Sequence, residues 1–316
     1  MVKIIAGLMG SSVMSGSTKL ATTDQVRNLL QACQRHGVTE LDTARVYNAG
    51  KSEELLGTIP EVQHDFAVQT KCPGFMPGSL SYDRVLSNCN ASLAALKQSK
   101  LDIYYFHGPD RRTPLEDSCR AINELYNQGK FTRFGISNFR ADEVEEIITT
   151  CKRNKWVLPT VYQGGYNPVA RAGEKALFPL LRQHRIAFYA FSPLAGGYFS
   201  RPAEELTTPP PGSRMDQMAI FSSLYVNDES LKLHKLLTSA CNKNGLTMRE
   251  ATLRWAMHHS ILGPEDGVIL GASSSEQMEA NIDACSKGPL TQELVDLYED
   301  IWKQYSATGR ANAYSV

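Results

Sequence analysis

The sequence has no surplus of either charge: Lys plus Arg and Asp plus Glu each number 33 in 316 residues, so the formal net charge is zero and the pI ≈ 7.0. Without a basic excess there is no electrostatic case for a nucleic-acid or anionic-membrane partner. Paired cysteine motifs are missing as well. The seven cysteines (33, 72, 89, 119, 151, 241 and 285) are scattered with no CxxC spacing. That pattern argues against a disulfide framework or zinc site, and for free thiols in a reducing, cytoplasmic setting. No run approaches the roughly 18 apolar residues of a membrane span. The apolar part of MVKIIAGLMGSS is too brief for a secretory h-region with its cleavage site. GLMGSSVMSG (7–16) contains glycines but not the GxGxxG of a doubly wound dinucleotide fold. His258 and His259 lack a third ligand at metal-site spacing, so no metal is expected.

What is present is an alternation. Short β-rich apolar runs occur at 3–8, 39–42, 66–71, 101–107, 131–137, 159–163, 186–192 and 267–271. Stretches of helical period lie between them, among them 22–37, 81–97 and 115–130. Eight strand–helix units predict a parallel sheet closed into a single-domain α/β barrel, a (β/α)8 TIM barrel spanning 1–316. Two segments exceed a bare barrel. The proline-rich, weakly periodic connection 194–228 after the seventh strand reads as a functional lid or a disordered stretch. An extra C-terminal helix is expected at 291–306, followed by the tail ATGRANAYSV.

In such a barrel, functional groups collect at the carboxyl ends of the strands. Asp42 follows the second strand, Lys71 ends the third and His107 the fourth. Ser137 and Asn138 follow the fifth, Gln163 the sixth, Ser192 the seventh, and GASSSEQ (271–277) the eighth. Tyr47 lies five residues past Asp42 in LDTARVYNAGKSEELLG (41–57). A phenol ordinarily loses its proton near pH ~10, so acid–base work at neutral pH requires tuning. The expected tuner is Lys71, whose ammonium beside Tyr47 favours phenolate and lowers its pKa, with Asp42 as the counter-ion. His107 would donate a hydrogen bond to a substrate oxygen as negative charge grows on it. Singly, these residues read as a turn cap, a half-exposed aromatic, a surface charge and a loop histidine; only their joint placement on adjacent strand ends argues for a site. The set offers a proton donor and an oxyanion site but no nucleophile. That suits protonation of an alkoxide formed by hydride addition to a carbonyl, with the hydride supplied by a cofactor because no side chain can.

LDTARVYNAGKSEELLG, VQTK, YYFHGPD, GKFTRFGISNF, VYQGGYN and AFSPLAGG resemble, in that order and from residue 1 to about 290, the aldo-keto reductases. FYAFSPLAGG and GVILGASSSEQMEAN are similar to the aflatoxin-aldehyde reductase-like branch. The resemblance implies a catalytic tetrad of the same four residues, Asp42, Tyr47, Lys71 and His107, and NADPH/NADP+ as cofactor. It implies that Ser137, Asn138 and Gln163 hold the nicotinamide carboxamide, with Asp42 also among the cofactor-binding residues. Phe191 occupies the ring-stacking place where many relatives have tyrosine, and Ser192, Pro193, Leu194 and Gly196 would approach the pyrophosphate. Many family members carry a lysine and an arginine after the eighth strand, where this chain has Gly271 and Gln277. The 2′-phosphate then falls to Ser273, Ser274, Gln277 and Asn281, with Arg214 as a basic clamp from the long loop. SSSEQ reads equally as a helix N-cap, and the two roles are compatible.

Mammalian relatives in this branch carry arginines in the long loop and C-terminus suited to an acid-bearing aldehyde; here Asp228 stands near the expected basic place, and Arg310 is the one cation of the tail. The expected substrate is therefore a neutral aromatic or hydrophobic carbonyl, walled by Met9, Tyr47, His107, Tyr225 and Tyr314. Two alternatives stay open: a nicotinamide-binding regulatory subunit similar to potassium-channel β subunits, and an alcohol dehydrogenase working in the oxidative direction. Oligomeric state is open too, a homodimer being one choice.

Overall fold

The computed structural model describes residues 1–9 and 20–308. Eight parallel strands close into a barrel in simple sequence order: β1 (Lys3–Gly7), β2 (Glu40–Asp42), β3 (Ala67–Cys72), β4 (Leu101–Phe106), β5 (Phe131–Ser137), β6 (Pro159–Gly165), β7 (Ala187–Phe191) and β8 (Gly267–Gly271). Helices α1 (Thr23–Arg35), α2 (Lys51–Gly57), α3 (Glu61–Asp65), α4 (Tyr82–Leu96), α5 (Leu115–Asn127), α6 (Ala141–Asn154) and α7 (Leu177–Gln183) fill the connections as far as β7. The β7–β8 connection holds α8 (Ala203–Thr207), α9 (Arg214–Gln217), α10 (Ala219–Tyr225), α11 (Asp228–Lys243) and α12 (Met248–His258). α13 (Ser275–Ser286) follows β8, and α14 (Gln292–Ala307) is the extra C-terminal helix.

The expected boundaries hold to within a few residues. The largest shortfall is α5, which stops at Asn127: Gly129 takes φ 71°, and the N–H groups of Gly129 and Lys130 turn back to Tyr126 and Leu125. A glycine adopts that left-handed angle freely and closes the helix there. His107 and Ser192 sit one residue beyond the last residues of β4 and β7, which leaves both in the mouth of the barrel.

Two cores result. The larger lies between the sheet and the helices. The smaller fills the lumen with Ile5, Ile103, Tyr105, Val161, Tyr189 and Ile269. Gly135 makes room for one of these rings: a Cβ there would stand 2.2 Å from Tyr105 Cδ1. Toward the amino ends of the strands the lumen is shut by polar side chains. Arg133 donates to Asp102 Oδ2 at 2.6 Å, Gln69 donates to Glu40 Oε2 at 2.7 Å, and the Tyr105 hydroxyl donates to Gln69 Oε1 at 3.0 Å. With that end closed, the barrel opens only at the carboxyl ends of its strands.

The long connection carries regular structure. A 3-10 turn (Ala195–Ser200) and helices α8 to α10 fold over the mouth, with Tyr198, Phe199, Met215 and Tyr225 buried beneath them. The histidine pair has structural work: His258 Nε2 meets the Lys287 carbonyl at 2.7 Å, and His259 Nε2 accepts the Leu290 N–H at 2.9 Å. Among the described residues, no helix is long and apolar enough to cross a membrane.

Candidate active site

β2 and β3 lie side by side, and their ends bring Asp42 and Lys71 together at the mouth. Both are buried. Lys71 Nζ donates to Asp42 Oδ1 at 2.7 Å, to Asp42 Oδ2 at 2.8 Å and to the Thr43 carbonyl at 2.7 Å. An ammonium has three protons, so all are committed. Gln163, reaching from β6, donates its Nε2 to Asp42 Oδ1 at 2.7 Å. Burial pulls the Lys71 pKa below the ordinary lysine value, against the opposing charges of Asp42 and Glu53.

Tyr47 stands beside this pair. Lys71 Nζ lies 5.1 Å from the centre of its ring, and the ring meets His107 edge-on, with centroids 5.6 Å apart and planes at 77°. The expectation that Lys71 lowers the Tyr47 pKa is corrected here. Burial pushes the phenol above its ordinary value, Asp42 adds to the rise, and the cation opposing them is Arg214. Lys71 is paired with Asp42 and lies over the ring rather than bonding the hydroxyl, and its charge is not among the causes of the Tyr47 shift. Burial and the Lys71 charge together hold the His107 pKa down to about 3, so its imidazole is neutral near pH 7.

Asn138 takes φ 65° and donates Nδ2 to the His107 carbonyl at 2.8 Å and to Ser137 Oγ at 2.9 Å. Both of its amide protons are therefore used. What remains in this corner is the Ser137 proton and the second Gln163 amide proton as donors, with Asn138 Oδ1 and Gln163 Oε1 as acceptors. Such a mixed set of donors and acceptors suits a primary carboxamide, whose carbonyl accepts and whose NH2 donates twice.

A cleft of about 480 Å³ runs from this corner under the long connection. It is lined by Met9, Asp42, Tyr47, His107, Ser137, Asn138 and Gln163 on the barrel, and by Phe191, Ser192, Pro193, Leu194, Gly196 and Arg214 from the β7 end onward. Ser273, Gln277 and Asn281 line it from the β8 side. Asn281 is 1% exposed and its Oδ1 has no hydrogen-bond partner, an orphaned acceptor in a cleft wall that calls for a ligand donor. Ser274 is not part of the lining. It caps α13, its Oγ accepting from the Gln277 N–H at 3.3 Å, while Gln277 Oε1 folds back onto the Ser273 N–H at 2.7 Å. Ser273, Gln277 and Asn281 present the small polar groups that would suit a phosphorylated dinucleotide.

One other expectation changes, and two more residues are placed by the fold. Tyr225 does not line the cleft: it is buried against Phe221, with its hydroxyl 3.2 Å from Asn167 Nδ2, and so anchors the roof. Asp228 is exposed at the start of α11, where the helix N-terminus favours a carboxylate, and it does not line the cleft either. Arg214 lies within electrostatic reach of Tyr47, a position that the 2′-phosphate reading did not anticipate. Tyr314 and Arg310 fall outside the described residues.

Sequence reasoning missed Phe75. Its backbone takes φ 70°, an outlier for a bulky residue, and its ring is 58% exposed, 6.0 Å from His107. Two glycines make that position available. A Cβ on Gly108 would stand 2.3 Å from Phe75 Cζ, and one on Gly74 would stand 2.3 Å from the Gly108 carbonyl oxygen. The only signal in the sequence is a Gly-Phe pair in the turn that follows Lys71. Phe75 itself is not in the cleft lining, whereas Met218, Ile220 and Phe221 of the roof are, and they were hidden in a weakly periodic stretch.

A closed barrel with an Asp–Lys pair, a tyrosine and a neutral histidine at its mouth defines an oxidoreductase site, and the comparisons agree. The family model for the Aldo/keto reductase family matches residues 3–303, so the chain belongs to that family. It is 37% identical, over 87% of its length and 96% of the relative's, to an aldo-keto reductase of Pseudocercospora fijiensis. It is 38% identical to human aldo-keto reductase family 7 member A3 over 86% of this chain and 87% of that one. Identity to human aflatoxin B1 aldehyde reductase member 4 is 37%, over 87% and 88%. Within the family, the chain falls in the aflatoxin-aldehyde reductase-like branch.

Two outcomes follow from the charges. Lys71→Met leaves Asp42 buried and unpaired and is expected to cost about 3–5 kcal/mol in chemical denaturation, part of which Asp42→Asn in the same chain should restore. The His107 ring signals in an NMR pH titration, assigned with His107→Gln, should stay at neutral-imidazole shifts from about pH 8 down to about pH 5, where an ordinary histidine charges.

Proposed function

We propose that this protein is an NADPH-dependent aldehyde and ketone reductase in which Tyr47 is the proton donor, acting on neutral aromatic or hydrophobic carbonyls in the reducing cytoplasm. The observation that carries this reading is the edge-on contact of Tyr47 with a neutral His107, in the cleft whose remaining donors and acceptors suit a carboxamide. When bound, a reduced nicotinamide supplies hydride at this mouth. The protein's own part is the proton. Because burial raises its pKa, Tyr47 is protonated at neutral pH, the form a reduction consumes. His107, uncharged, orients the carbonyl oxygen by an N–H hydrogen bond without adding a cation to a buried corner. Once the proton moves from Tyr47 to that oxygen, Arg214 favours the phenolate left behind.

Phe75 supports the substrate preference, since an exposed ring beside His107 offers an aromatic aldehyde a face to stack on. Arg214 favours a second reading, in which a carboxylate on the substrate pairs with it near Tyr47. NADPH oxidation decides between them. With 4-nitrobenzaldehyde, wild type should turn over, and Tyr47→Phe should bind NADPH by fluorescence quenching yet lose at least ~10²-fold in kcat. Wild type that binds NADPH but reduces no carbonyl of a broad panel would sink the reductase reading.

Phe75→Ala should lower kcat/KM for 4-nitrobenzaldehyde by about tenfold and leave a small aliphatic aldehyde nearly unaffected. A strong wild-type preference for succinic semialdehyde, abolished by Arg214→Met, would instead establish the acid-bearing reading.

A further inference from the structure

Tyr47 stands at the head of a turn that the chain would not adopt alone. Asn48, Ala49 and Gly50 follow it in successive left-handed conformations, with φ of 49°, 53° and 91°. Such angles cost about 1–3 kcal/mol at a non-glycine residue and persist only where the surroundings over-determine them. Asparagine tolerates the region and glycine is at ease in it, but Ala49 has neither advantage.

A buried carboxylate that sequence reasoning passed over reaches both sides of this turn. The Glu53 side chain, on α2, is wholly buried. Its Oε2 accepts from Arg45 Nη1 at 2.8 Å, two residues before Tyr47, and its Oε1 accepts from Thr70 Oγ1 at 2.6 Å, next to Lys71 on β3. The Arg45 guanidinium lies over the turn itself, where a Cβ on Gly50 would meet Nη1 at 3.3 Å. The Arg45 N–H donates to the Lys71 carbonyl at 3.3 Å. A second tie, between Thr43 Oγ1 and Ser52 Oγ at 2.8 Å, holds the ends of the loop without Arg45, and Thr43 itself meets β3 through its N–H to the Gln69 carbonyl at 2.9 Å and its carbonyl to Lys71 Nζ at 2.7 Å. A buried carboxylate is costly unless paired and fully bonded, and both Glu53 oxygens are.

We propose that Glu53 is a positioning residue for the reduction: through Arg45 and Thr70 it fastens the turn carrying Tyr47 to the strand carrying Lys71, and so holds Tyr47 edge-on to His107. The kinetic consequence rests on the reductase reading; the structural one does not. Glu53→Gln keeps the shape and removes the charge. Arg45→Met breaks the same contact from a side chain that is 27% exposed, which guards against a folding failure at Glu53.

The experiment is hydrogen exchange by mass spectrometry on both variants, on Arg45→Lys and on wild type, alongside steady-state kinetics. Amides of residues 43–50 should exchange roughly tenfold faster in Glu53→Gln and Arg45→Met, with the other strands unchanged, and Arg45→Lys should restore most of the protection. In the same two variants kcat should fall about tenfold or more, while KM and NADPH affinity stay within about twofold, because misplacement of a donor is felt in the transition state. Unchanged exchange at 43–50 overturns the proposal, as does a loosened turn with kcat retained. A wild type that reduces no carbonyl overturns the reductase reading alone, and exchange still decides whether Glu53 clamps the turn.

Discussion

The buried ion pair between Asp42 and Lys71 is the contact on which the mouth of the barrel depends. Two charges taken from water are tolerable only when each is fully partnered. Here the requirement fixes β2 against β3, draws in the Thr43 carbonyl and recruits Gln163 from across the barrel. β2 is only three residues long, so the pair does for this corner what a longer ladder does elsewhere. It also positions its neighbours, since Tyr47 packs on the Lys71 ammonium and His107 packs on Tyr47.

Burial is the second theme, and it acts in opposite senses on neighbouring groups. The same dry surroundings raise the phenol of Tyr47 and depress the imidazole of His107, because in each case the charged form is the one disfavoured. A tyrosine that keeps its proton beside a histidine that refuses one is a donor next to a neutral hydrogen-bonding partner. Lys71 does not achieve this by activating the tyrosine directly. Its three protons and most of its field are taken by Asp42 and Thr43, and Arg214, arriving from the roof, is the cation that acts on the phenol.

The connection after β7 is long, proline-rich and weakly periodic, a pattern that reads as a functional lid or a disordered stretch. In the fold Tyr225, Tyr198 and Phe199 tuck beneath it and pack it over the mouth. Tyr225 packs inward rather than over the substrate because its ring finds Phe221 and its hydroxyl finds Asn167. On the β8 side, Ser273, Ser274 and Gln277 form a self-contained helix cap that leaves one acceptor, Asn281 Oδ1, unsatisfied toward the cleft.

Residue order alone determined the barrel, because eight apolar runs alternating with helical stretches have few other ways to bury themselves. It also brought Asp42, Lys71 and His107 to one face, since strand ends in a barrel share one face and these three sit at or just past successive ends. It could not reveal Phe75 or Glu53. The first depends on two glycines 34 residues apart, at positions 74 and 108, meeting backbone to backbone, and the second on a helix residue reaching a neighbouring strand. Nor could it give the direction of the Tyr47 shift, because a pKa in a buried corner is set by distances and solvent access that the order of residues does not encode. Periodicity is a local property and was legible; which charge faces which ring is decided only when the closed barrel brings its strand ends together.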